Sequence, residues 1–375
     1  MDIETITPAE ARRRQQSGAV LIDVREVHER ALGMAEGALG VARGELESAP
    51  ASSVPDRNTA VMLICEVGGR SLQAAKTLAD RGYAQVASVE GGTSRWRDDG
   101  LPLVRPVGDH DFYDRYSRHL LLPEVGEAGQ RKLQAARVAI VGAGGLGSPS
   151  AYYLAAAGVG SVVLADDDVV DRSNLQRQIL HTDARIGMAK VESARIALSA
   201  LNPNIAIETF VERITSANVE RLIGDADVVL DGGDNFAVRY LLNDACVKLG
   251  KPMVYGAVHR FHGQVSVFDA GRRRGEAPCY RCLFPQPPSP ESAPNCSEAG
   301  VLGVLPGVIG MLQATEVIKL LLGIGESLSG RLLHFDALGM QFRQTRLSAD
   351  PACAVCAPGQ AFPGYIDYEA FCSAR

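Results

Sequence analysis

The chain has 375 residues, of which 46% are hydrophobic and 22% are charged, a globular composition with room for two or three domains. Its 38 basic residues stand against 44 acidic ones, and this net charge of −6 argues against nucleic acid or an anionic membrane as a partner. The opening residues, MDIETITPAEARRRQQ, are polar and lack an apolar core segment, so we expect no signal peptide and a cytoplasmic protein.

The first hundred residues predict a small α/β domain. Thr7, Pro8 and Glu10 occupy the N-cap, N1 and N3 positions of a helix start. RSLQAAKTLADRG (70–82) has helical periodicity and ends at a glycine. Strands are predicted in VLIDV (20–24), AVMLIC (60–65) and QVASVEGG (85–92). We therefore predict one domain over 1–104, a linker over 105–111 and a second domain over 112–375.

The stretch CEVGGRS places Cys65 after an apolar strand, in a glycine loop that leads into a helix. Backbone N–H groups of such a loop, together with the helix N-terminus, stabilise an anion. The spacing from Cys65 to Arg70 is C-x4-R, whereas phosphatases with this type of cradle use the longer C-x5-R. The shorter loop favours a sulfur anion over phosphate.

The second block alternates strands with helical segments. RVAIVGAGGLG (137–147) is an apolar strand followed by a glycine turn. Further strands are predicted in SVVLADDD (161–168), IAIETF (205–210), ADVVLDGGDN (226–235) and KPMVYGAV (251–258). This alternation predicts a mostly parallel, doubly wound sheet of the Rossmann type.

The glycine turn fits G-x-G-x-x-G through Gly142, Gly144 and Gly147, and Gly145 also lies in it. Such glycines let backbone N–H groups approach phosphates, and Asp166 at the end of the next strand suits a ribose hydroxyl. Because NAD and FAD enzymes share this pattern, a nicotinamide oxidoreductase stays open as an alternative.

Charged residues at the ends of successive strands favour nucleotidyl transfer. Arg177 and Lys190 can bind a triphosphate, and Asp234 can bind magnesium. A hydride-transferring enzyme has less need of such cations. The segment 301–325 is apolar enough to suggest a membrane span, but Pro306 and Glu316 interrupt it, so we predict a buried core helix.

Four of the eight cysteines form two C-x-x-C pairs, Cys279 with Cys282 and Cys353 with Cys356. Four thiolates suit tetrahedral zinc, and a closed set of four predicts a structural site. Cys296 follows a proline-rich patch, where a thiol could reach an activated carboxyl group. We assign no role to Cys246 or Cys372, which suit a core and a tail position.

The stretches RYSRHLLL, VAIVGAGGLGS, SNLQRQ, GMAKVESA, DGGDN and PCYRC with CAVC resemble the MoeB/ThiF adenylyltransferases, relatives of ubiquitin-activating enzymes, over about 110–357. The resemblance implies adenylation of the C-terminal glycine of a ubiquitin-like sulfur carrier, in a homodimer whose Arg118 reaches the neighbouring subunit's site. It implies the same structural zinc site and, at the position of Cys296, a cysteine that forms an acyl disulfide or a thioester. The residues implied to bind Mg²⁺ and ATP are Gly142, Gly144, Gly145, Gly147, Asp166, Ser173, Asn174, Leu175, Gln176, Arg177, Lys190, Asp234, Asn235 and Arg118.

IDVREVHERALGMAEGALGVARGELE (22–47), CEVGGRS and VEGGTSRW (89–96) resemble a rhodanese domain. The resemblance implies that Cys65 carries a persulfide, cradled by the loop of Glu66, Gly68, Gly69 and Arg70. Glu66 departs from the usual polar or basic residue, and its charge is expected to weaken a persulfide anion. Met34, Ala35 and Glu36 replace the usual His-Ile-Pro; both departures leave the rate or the donor of sulfur transfer open.

The sequence therefore predicts a fused adenylyltransferase and sulfurtransferase with ATP, Mg²⁺ and structural Zn²⁺. Its expected partners are a ubiquitin-like sulfur carrier and a persulfide donor such as a cysteine desulfurase. Arg177, Lys190 and Asp234 would act in adenylation, and Cys65 and Cys296 in sulfur transfer. Two alternatives stay open: an activating enzyme that forms a thioester on Cys296, and a rhodanese domain that only docks a partner.

Overall fold

A computed structural model describes residues 3–106, 108–287 and 300–373 of the chain. The chain divides into two compact units, residues 1–127 and 128–375, which we call the N-terminal and the C-terminal unit. Each unit contains its own parallel sheet and its own hydrophobic core. The predicted domain limits at 104, 105–111 and 112 remain predictions from the sequence.

The N-terminal unit is built on a five-stranded parallel sheet in the order β1-β6-β5-β2-β4, and a separate antiparallel pair joins β3 to β7. Its strands are Glu4–Ile6 (β1), Val20–Asp23 (β2), Met34–Ala35 (β3), Leu39–Gly40 (β4), Val61–Ile64 (β5), Val86–Val89 (β6) and Leu103–Val104 (β7). Its helices are Pro8–Gln16, Val27–Ala31, Arg43–Ser48, Pro50–Ser53, Gly69–Asp80, Gly92–Asp98 and His110–Leu120.

Strand β5, at the centre of this sheet, is apolar and buried at every position, as expected of a parallel strand that is covered on both faces. Along β5, Leu63 packs in one core cluster and Met62 and Ile64 pack in the other. The predicted start of the first helix is confirmed, since the Thr7 hydroxyl accepts a hydrogen bond of 3.2 Å from the Glu10 N–H. The predicted strands and the helix over 70–82 are present as β2, β5, β6 and Gly69–Asp80.

The C-terminal unit contains an eight-stranded sheet in the order β10-β9-β8-β11-β12-β13-β14-β15. Its strands are Arg137–Val141 (β8), Ser161–Ala165 (β9), Ala206–Phe210 (β10), Val228–Asp231 (β11), Met253–His259 (β12), His262–Phe268 (β13), Arg331–Asp336 (β14) and Gln341–Arg346 (β15). Gly126–Ala135 crosses the boundary between the units, and the other helices are Gly147–Ala157, Lys190–Leu201, Val219–Ile223, Phe236–Leu249, Tyr280–Leu283, Val304–Leu322 and Tyr368–Ser373. Two short 3₁₀ turns cover Arg172–Asn174 and Asp183–Arg185.

The five strands at one side of this sheet, in the order β10-β9-β8-β11-β12, are parallel. This arrangement confirms the predicted doubly wound α/β fold. Alternate side chains of β8 face opposite layers: Val138 and Ile140 lie in one core cluster, and Ala139 and Val141 lie in the other. The antiparallel extension through β13, β14 and β15 was not predicted from the sequence.

The apolar segment forms helix Val304–Leu322, which among the described residues is long and apolar enough to span a membrane. In the structure it packs on helix Gly147–Ala157 and on strands β11 to β13, and its Leu305 and Val317 lie in the core of the C-terminal unit. The structure thus places this segment as a core helix, as predicted.

Candidate functional site: a nucleotide-type cavity and a cysteine loop

The glycine turn after β8 brings three backbone segments into close contact. Gly142 has φ +96°, and a Cβ at this position would lie 2.7 Å from the backbone of Gly232. A Cβ on Gly147 would lie 1.9 Å from the Gly142 carbonyl oxygen. These two glycines therefore permit the helix Gly147–Ala157 to begin directly against the strand end, with its N-terminus facing the site.

The turn lies at the point where the strand order reverses direction. β8 and β11 are neighbours in the sheet, but the chain leaves β8 toward β9 and leaves β11 toward β12. Open α/β sheets bind ligands at such a switch point, outside the carboxyl ends of the strands. Here that place is a cavity of 980 Å³. Of the residues predicted to bind the nucleotide, those lining it are Gly142, Gly144, Gly145, Asp166, Arg177, Lys190, Asp234 and Asn235.

Asp166 is held at the cavity wall by backbone N–H groups. Its carboxylate accepts hydrogen bonds from the N–H of Ala143 at 2.7 Å and from that of Asp168 at 2.9 Å. Burial raises the pKa of Asp166, and the nearby charge of Lys190 opposes this rise. Asp166 directly follows β9, and a carboxylate fixed at this strand end can accept hydrogen bonds from a pair of ligand hydroxyls.

Lys190 begins the helix Lys190–Leu201, and its side chain is only 7% exposed. Its Nζ donates to Oδ2 of Asp168 at 2.7 Å. Carboxylate oxygens of Asp166, Asp167 and Asp168 all lie within 4.8 Å of one another, a grouping that could hold a metal ion. The cavity wall thus contains the ammonium group of Lys190, which can bind a phosphate, next to aspartate carboxylates that can bind a divalent ion.

The remaining predicted residues of this site are placed as follows. Asn235 caps the helix Phe236–Leu249 by accepting from the Val238 N–H at 2.9 Å, and Asp234 is exposed beside it. Gly147, Ser173, Asn174, Leu175 and Gln176 do not line the cavity. Arg118 is exposed on helix His110–Leu120 of the N-terminal unit. Cys296 lies outside the described residues.

Sequence reasoning missed a buried ion pair at the cavity, formed by Asp231 and the cavity-lining Arg239. Arg239 Nε donates to Asp231 Oδ2 at 2.8 Å, with side chains 8% and 1% exposed. The Arg239 guanidinium also lies 5.0 Å from the centre of the Tyr255 ring. Asp231 stands in the quoted motif DGGDN, so the motif pointed to it, but Arg239 has no such signal in the sequence.

Two more buried polar residues, His181 and Gln178, lie next to the glycine turn. His181 makes a 3.0 Å hydrogen bond from Nε2 to the Ala143 carbonyl, and its Nδ1 contacts the Ser193 hydroxyl at 2.9 Å. Burial lowers the pKa of His181, which favours the neutral ring. Gln178 lines the cavity, and its buried Oε1 has no hydrogen-bond partner among the described residues. Gln178 is therefore a candidate ligand-binding side chain that the sequence reasoning did not single out.

The four paired cysteines meet in the C-terminal unit. The Sγ atoms of Cys279 and Cys353 are 3.6 Å apart, those of Cys282 and Cys356 are 3.4 Å apart, and those of Cys279 and Cys282 are 3.8 Å apart. Tetrahedral zinc with Zn–S distances of about 2.3 Å separates its sulfurs by about 3.8 Å. The cluster fits a metal ion coordinated by four thiolates, with no position left for a reacting ligand.

The cysteine of the N-terminal unit lies at the bottom of its loop. Cys65 is 1% exposed, and its Sγ accepts a hydrogen bond of 3.1 Å from the Gly68 N–H. Gly68 has φ +96° and precedes helix Gly69–Asp80, so the helix N-terminus faces the sulfur. Gly92 packs so closely on the loop that a Cβ there would lie 2.1 Å from the Cys65 carbonyl oxygen. This geometry suits a cradle for a small sulfur anion.

Glu66, whose charge is expected next to the Cys65 thiol, is ion-paired in the structure. Its carboxylate accepts from Arg25 at 2.6 Å and from the Ser94 hydroxyl at 2.9 Å. Arg25 is 2% exposed and also binds Asp23. Arg70, the residue that closes the loop, forms a two-bonded ion pair with Glu29 at 2.5 and 2.7 Å.

Comparison with known protein families decides what kind of protein carries these two sites. The ThiF family matches residues 116–355, which is more than half of the chain. The chain belongs to the ThiF family. A rhodanese-like domain matches residues 7–99, so this ThiF family member carries both of the domains that the sequence indicated.

Two relatives of this ThiF family member share half of their aligned residues with it. It is 50% identical over 246 residues to a SAMP-activating enzyme E1 of Haloferax volcanii, covering 66% of this chain and 89% of that protein. It is 50% identical over 263 residues to a sulfur carrier protein adenylyltransferase of Thermus thermophilus, covering 70% and 97%.

A third relative is the adenylyltransferase and sulfurtransferase MOCS3 of Drosophila grimshawi, 51% identical over 264 residues. That match covers 70% of this chain and 58% of MOCS3. Among solved structures, the fold resembles Escherichia coli MccB with ATP, with a TM-score of 0.54 and 19% identity over 68% of this chain and 83% of MccB.

Proposed function

We propose that this chain is an ATP-dependent adenylyltransferase and sulfurtransferase acting on a ubiquitin-like sulfur carrier. It activates the carrier's C-terminal glycine and converts it to a thiocarboxylate, for molybdopterin or a related sulfur-containing cofactor. The observation that carries this proposal is that one chain of the ThiF family holds a glycine-lined cavity with Lys190 and Asp166 and a cradled Cys65. The names of the relatives from Thermus and Drosophila support the same chemistry.

In the adenylation step, the carrier's terminal carboxylate attacks the α-phosphate of ATP, and pyrophosphate leaves. The glycine turn and the helix N-terminus at Gly147 hold the phosphates, and Asp166 accepts the ribose hydroxyls. Lys190 and Arg177 offset the charge that develops on the transferring phosphate. Mg²⁺, when bound, would supply further charge neutralisation, and Asp234 and Asp168, which line the cavity, would hold it.

In the sulfur step, Cys65 carries a persulfide delivered by a donor such as a cysteine desulfurase. The terminal sulfur of this persulfide attacks the acyl adenylate, which forms an acyl disulfide and releases AMP. The thiolate of Cys296 then attacks the Cys65 sulfur, so that the thiocarboxylate leaves and a Cys65–Cys296 disulfide remains. A dithiol reductant returns both cysteines to thiols.

Three further assignments complete the proposal. Cys279, Cys282, Cys353 and Cys356 hold a structural Zn²⁺, because their spacing leaves no open coordination position. The protein is a cytoplasmic homodimer, in which Arg118 reaches the nucleotide of the partner subunit. Neither nucleic acid nor a membrane is required as a partner.

A second candidate function follows from the relative in Haloferax, which is named a SAMP-activating enzyme E1. In that alternative, Cys296 takes the activated carrier as a thioester, and the rhodanese-like domain only docks a partner. The two functions share the adenylation step and differ in whether Cys65 is required.

Exchange of radiolabelled pyrophosphate into ATP tests the shared step. We expect exchange only when a ubiquitin-like carrier with an intact C-terminal glycine is present, and we expect Lys190→Met to reduce it by at least a hundredfold. Arg195→Met is the matched control, because Arg195 lies on the same helix but is exposed and pairs with Glu192. Exchange that persists in Lys190→Met, or that needs no carrier, would contradict the proposed adenylation.

A further inference from the structure

Arg25, which contacts Glu66 of the cysteine loop, and Arg70, which closes that loop, both form ion pairs with carboxylates. Arg25 pairs with Asp23 and with Glu66, and Arg70 pairs with Glu29. Two guanidinium groups therefore face three carboxylates, and this network carries a net charge of −1. Glu66 and Arg70 are 36% and 38% exposed, so both lie where an approaching ligand can meet them.

The positive potential that remains in the loop comes from the backbone. The Gly68 N–H donates to the Cys65 sulfur, and the N-terminus of helix Gly69–Asp80 faces it. This partial charge of about half an elementary unit suits one singly charged sulfur anion. A dianionic donor would need a free guanidinium to balance its second negative charge. Arg25 and Arg70 cannot supply one, because both are paired with carboxylates.

We propose that Glu66 and Glu29 are specificity-determining residues, which exclude dianionic sulfur donors and leave Cys65 open to singly charged persulfides. This inference rests on the proposed role of Cys65 as the sulfur-carrying residue. It gives Glu66 a function that the sequence pattern alone did not suggest, since the carboxylate is held by Arg25 and Ser94 in a fixed position.

Donors of different charge react with Cys65 by the same displacement. With thiosulfate, the Cys65 thiolate attacks the outer sulfur, the S–S bond breaks, and sulfite leaves with the electron pair of that bond. A thiosulfonate such as benzenethiosulfonate reacts likewise and releases a sulfinate, but it carries one negative charge instead of two. Cyanide then removes the outer sulfur of the Cys65 persulfide as thiocyanate and restores the thiolate, so no other oxidant or reductant is needed.

The test measures thiocyanate formation from thiosulfate and from benzenethiosulfonate with the full-length chain. Because a Coulomb energy is proportional to the charge of the donor, Glu66→Gln should raise kcat/KM for thiosulfate about tenfold but for benzenethiosulfonate only about threefold. Glu29→Gln should shift the ratio in the same direction, since it frees Arg70. Two controls should leave the ratio unchanged: Glu66→Asp, which keeps the charge, and Glu4→Gln, whose carboxylate pairs with Arg14.

Each outcome separates this inference from the proposed function. An unchanged donor ratio in both Glu66→Gln and Glu29→Gln, with an active wild-type enzyme, would overturn the inference alone. An equal rise for both donors would also overturn it, because the effect would then not depend on charge. Failure of the wild type to take sulfur onto Cys65 from thiosulfate, benzenethiosulfonate or cysteine persulfide, followed by intact mass, would instead refute the proposed role of Cys65.

Discussion

Replacing Gly147 by alanine tests the packing that builds the nucleotide-type cavity. A Cβ at Gly147 would lie 1.9 Å from the Gly142 carbonyl oxygen, which is about 1.5 Å short of an ordinary contact. The oxygen belongs to the backbone and the position of a Cβ is fixed by the backbone, so no side-chain rotation can relieve the overlap. The helix Gly147–Ala157 must therefore move away from the end of β8.

The expected cost of this movement is large. Overpacking in a core costs about 1–3 kcal/mol, and a contact between two backbone segments lies at the upper end of that range. A loss of about 3 kcal/mol in a unit of this size lowers Tm by about 6–12 °C. Gly144→Ala is the matched control, because a Cβ there meets only Gln178 Nε2, at 3.6 Å, and φ is not positive. It should change the free energy of unfolding by less than about 1 kcal/mol.

Thermal and urea denaturation of the full-length chain, followed by circular dichroism, would measure both variants. The transition assigned to the C-terminal unit should shift in Gly147→Ala and stay close to wild type in Gly144→Ala. Equal stability of the two variants would refute this reasoning, since the close approach of Gly147 to the Gly142 carbonyl would then have no energetic consequence.

Three further predictions concern buried polar groups. Arg239→Met leaves Asp231 buried and unpaired and should cost about 3–5 kcal/mol in urea denaturation, whereas Arg172→Met, which removes an exposed ion pair, should cost less than about 1 kcal/mol. Because burial lowers the pKa of His181, the unfolded chain binds a proton below about pH 6.5 that the folded chain resists, and this one group should lower the free energy of unfolding by up to about 1.4 kcal/mol per pH unit as the pH falls. The free energy of unfolding of His181→Gln should fall less steeply over the same range, and equal slopes for the two proteins would contradict this. Elemental analysis should find one zinc per chain and less than half of that in Cys353→Ser, while Cys246→Ser should keep the metal; full occupancy in Cys353→Ser would exclude the four-thiolate site.

The parts of the fold that follow a regular pattern were predictable from the sequence. Apolar runs identified the parallel strands β2, β5, β6 and β8 to β12, and Thr7 with Glu10 identified a helix start. The short parallel strands β1 and β4 were not predicted. The antiparallel strands β13 to β15 were not predicted. β15 is exposed along its whole length, so its sequence QFRQTR lacks the apolar alternation that indicates a half-buried strand.

The site residues that belong to a short motif with a known binding role were predictable from the sequence. The cavity is lined by the glycine turn, Asp166 and Lys190, which the motifs indicated. The four cysteines form a separate cluster, as their two C-x-x-C pairs indicated. The pairing of Glu66 with Arg25 joins residues 41 positions apart, so it depends on how the parallel strands lie side by side rather than on local sequence. For the same reason, the sequence indicated the charge of Glu66 next to Cys65 but not the arginine that pairs with it.

The most direct test of the central claim is intact-mass analysis of a ubiquitin-like carrier incubated with this chain, Mg²⁺, ATP and a cysteine desulfurase supplied with cysteine. The account predicts that the wild type converts the carrier's terminal carboxylate to a thiocarboxylate, seen as exchange of one oxygen for sulfur. Cys65→Ala should abolish this product and retain pyrophosphate exchange. Thiocarboxylate formed equally well by Cys65→Ala, or a carrier found only as a thioester on the enzyme, would contradict the account.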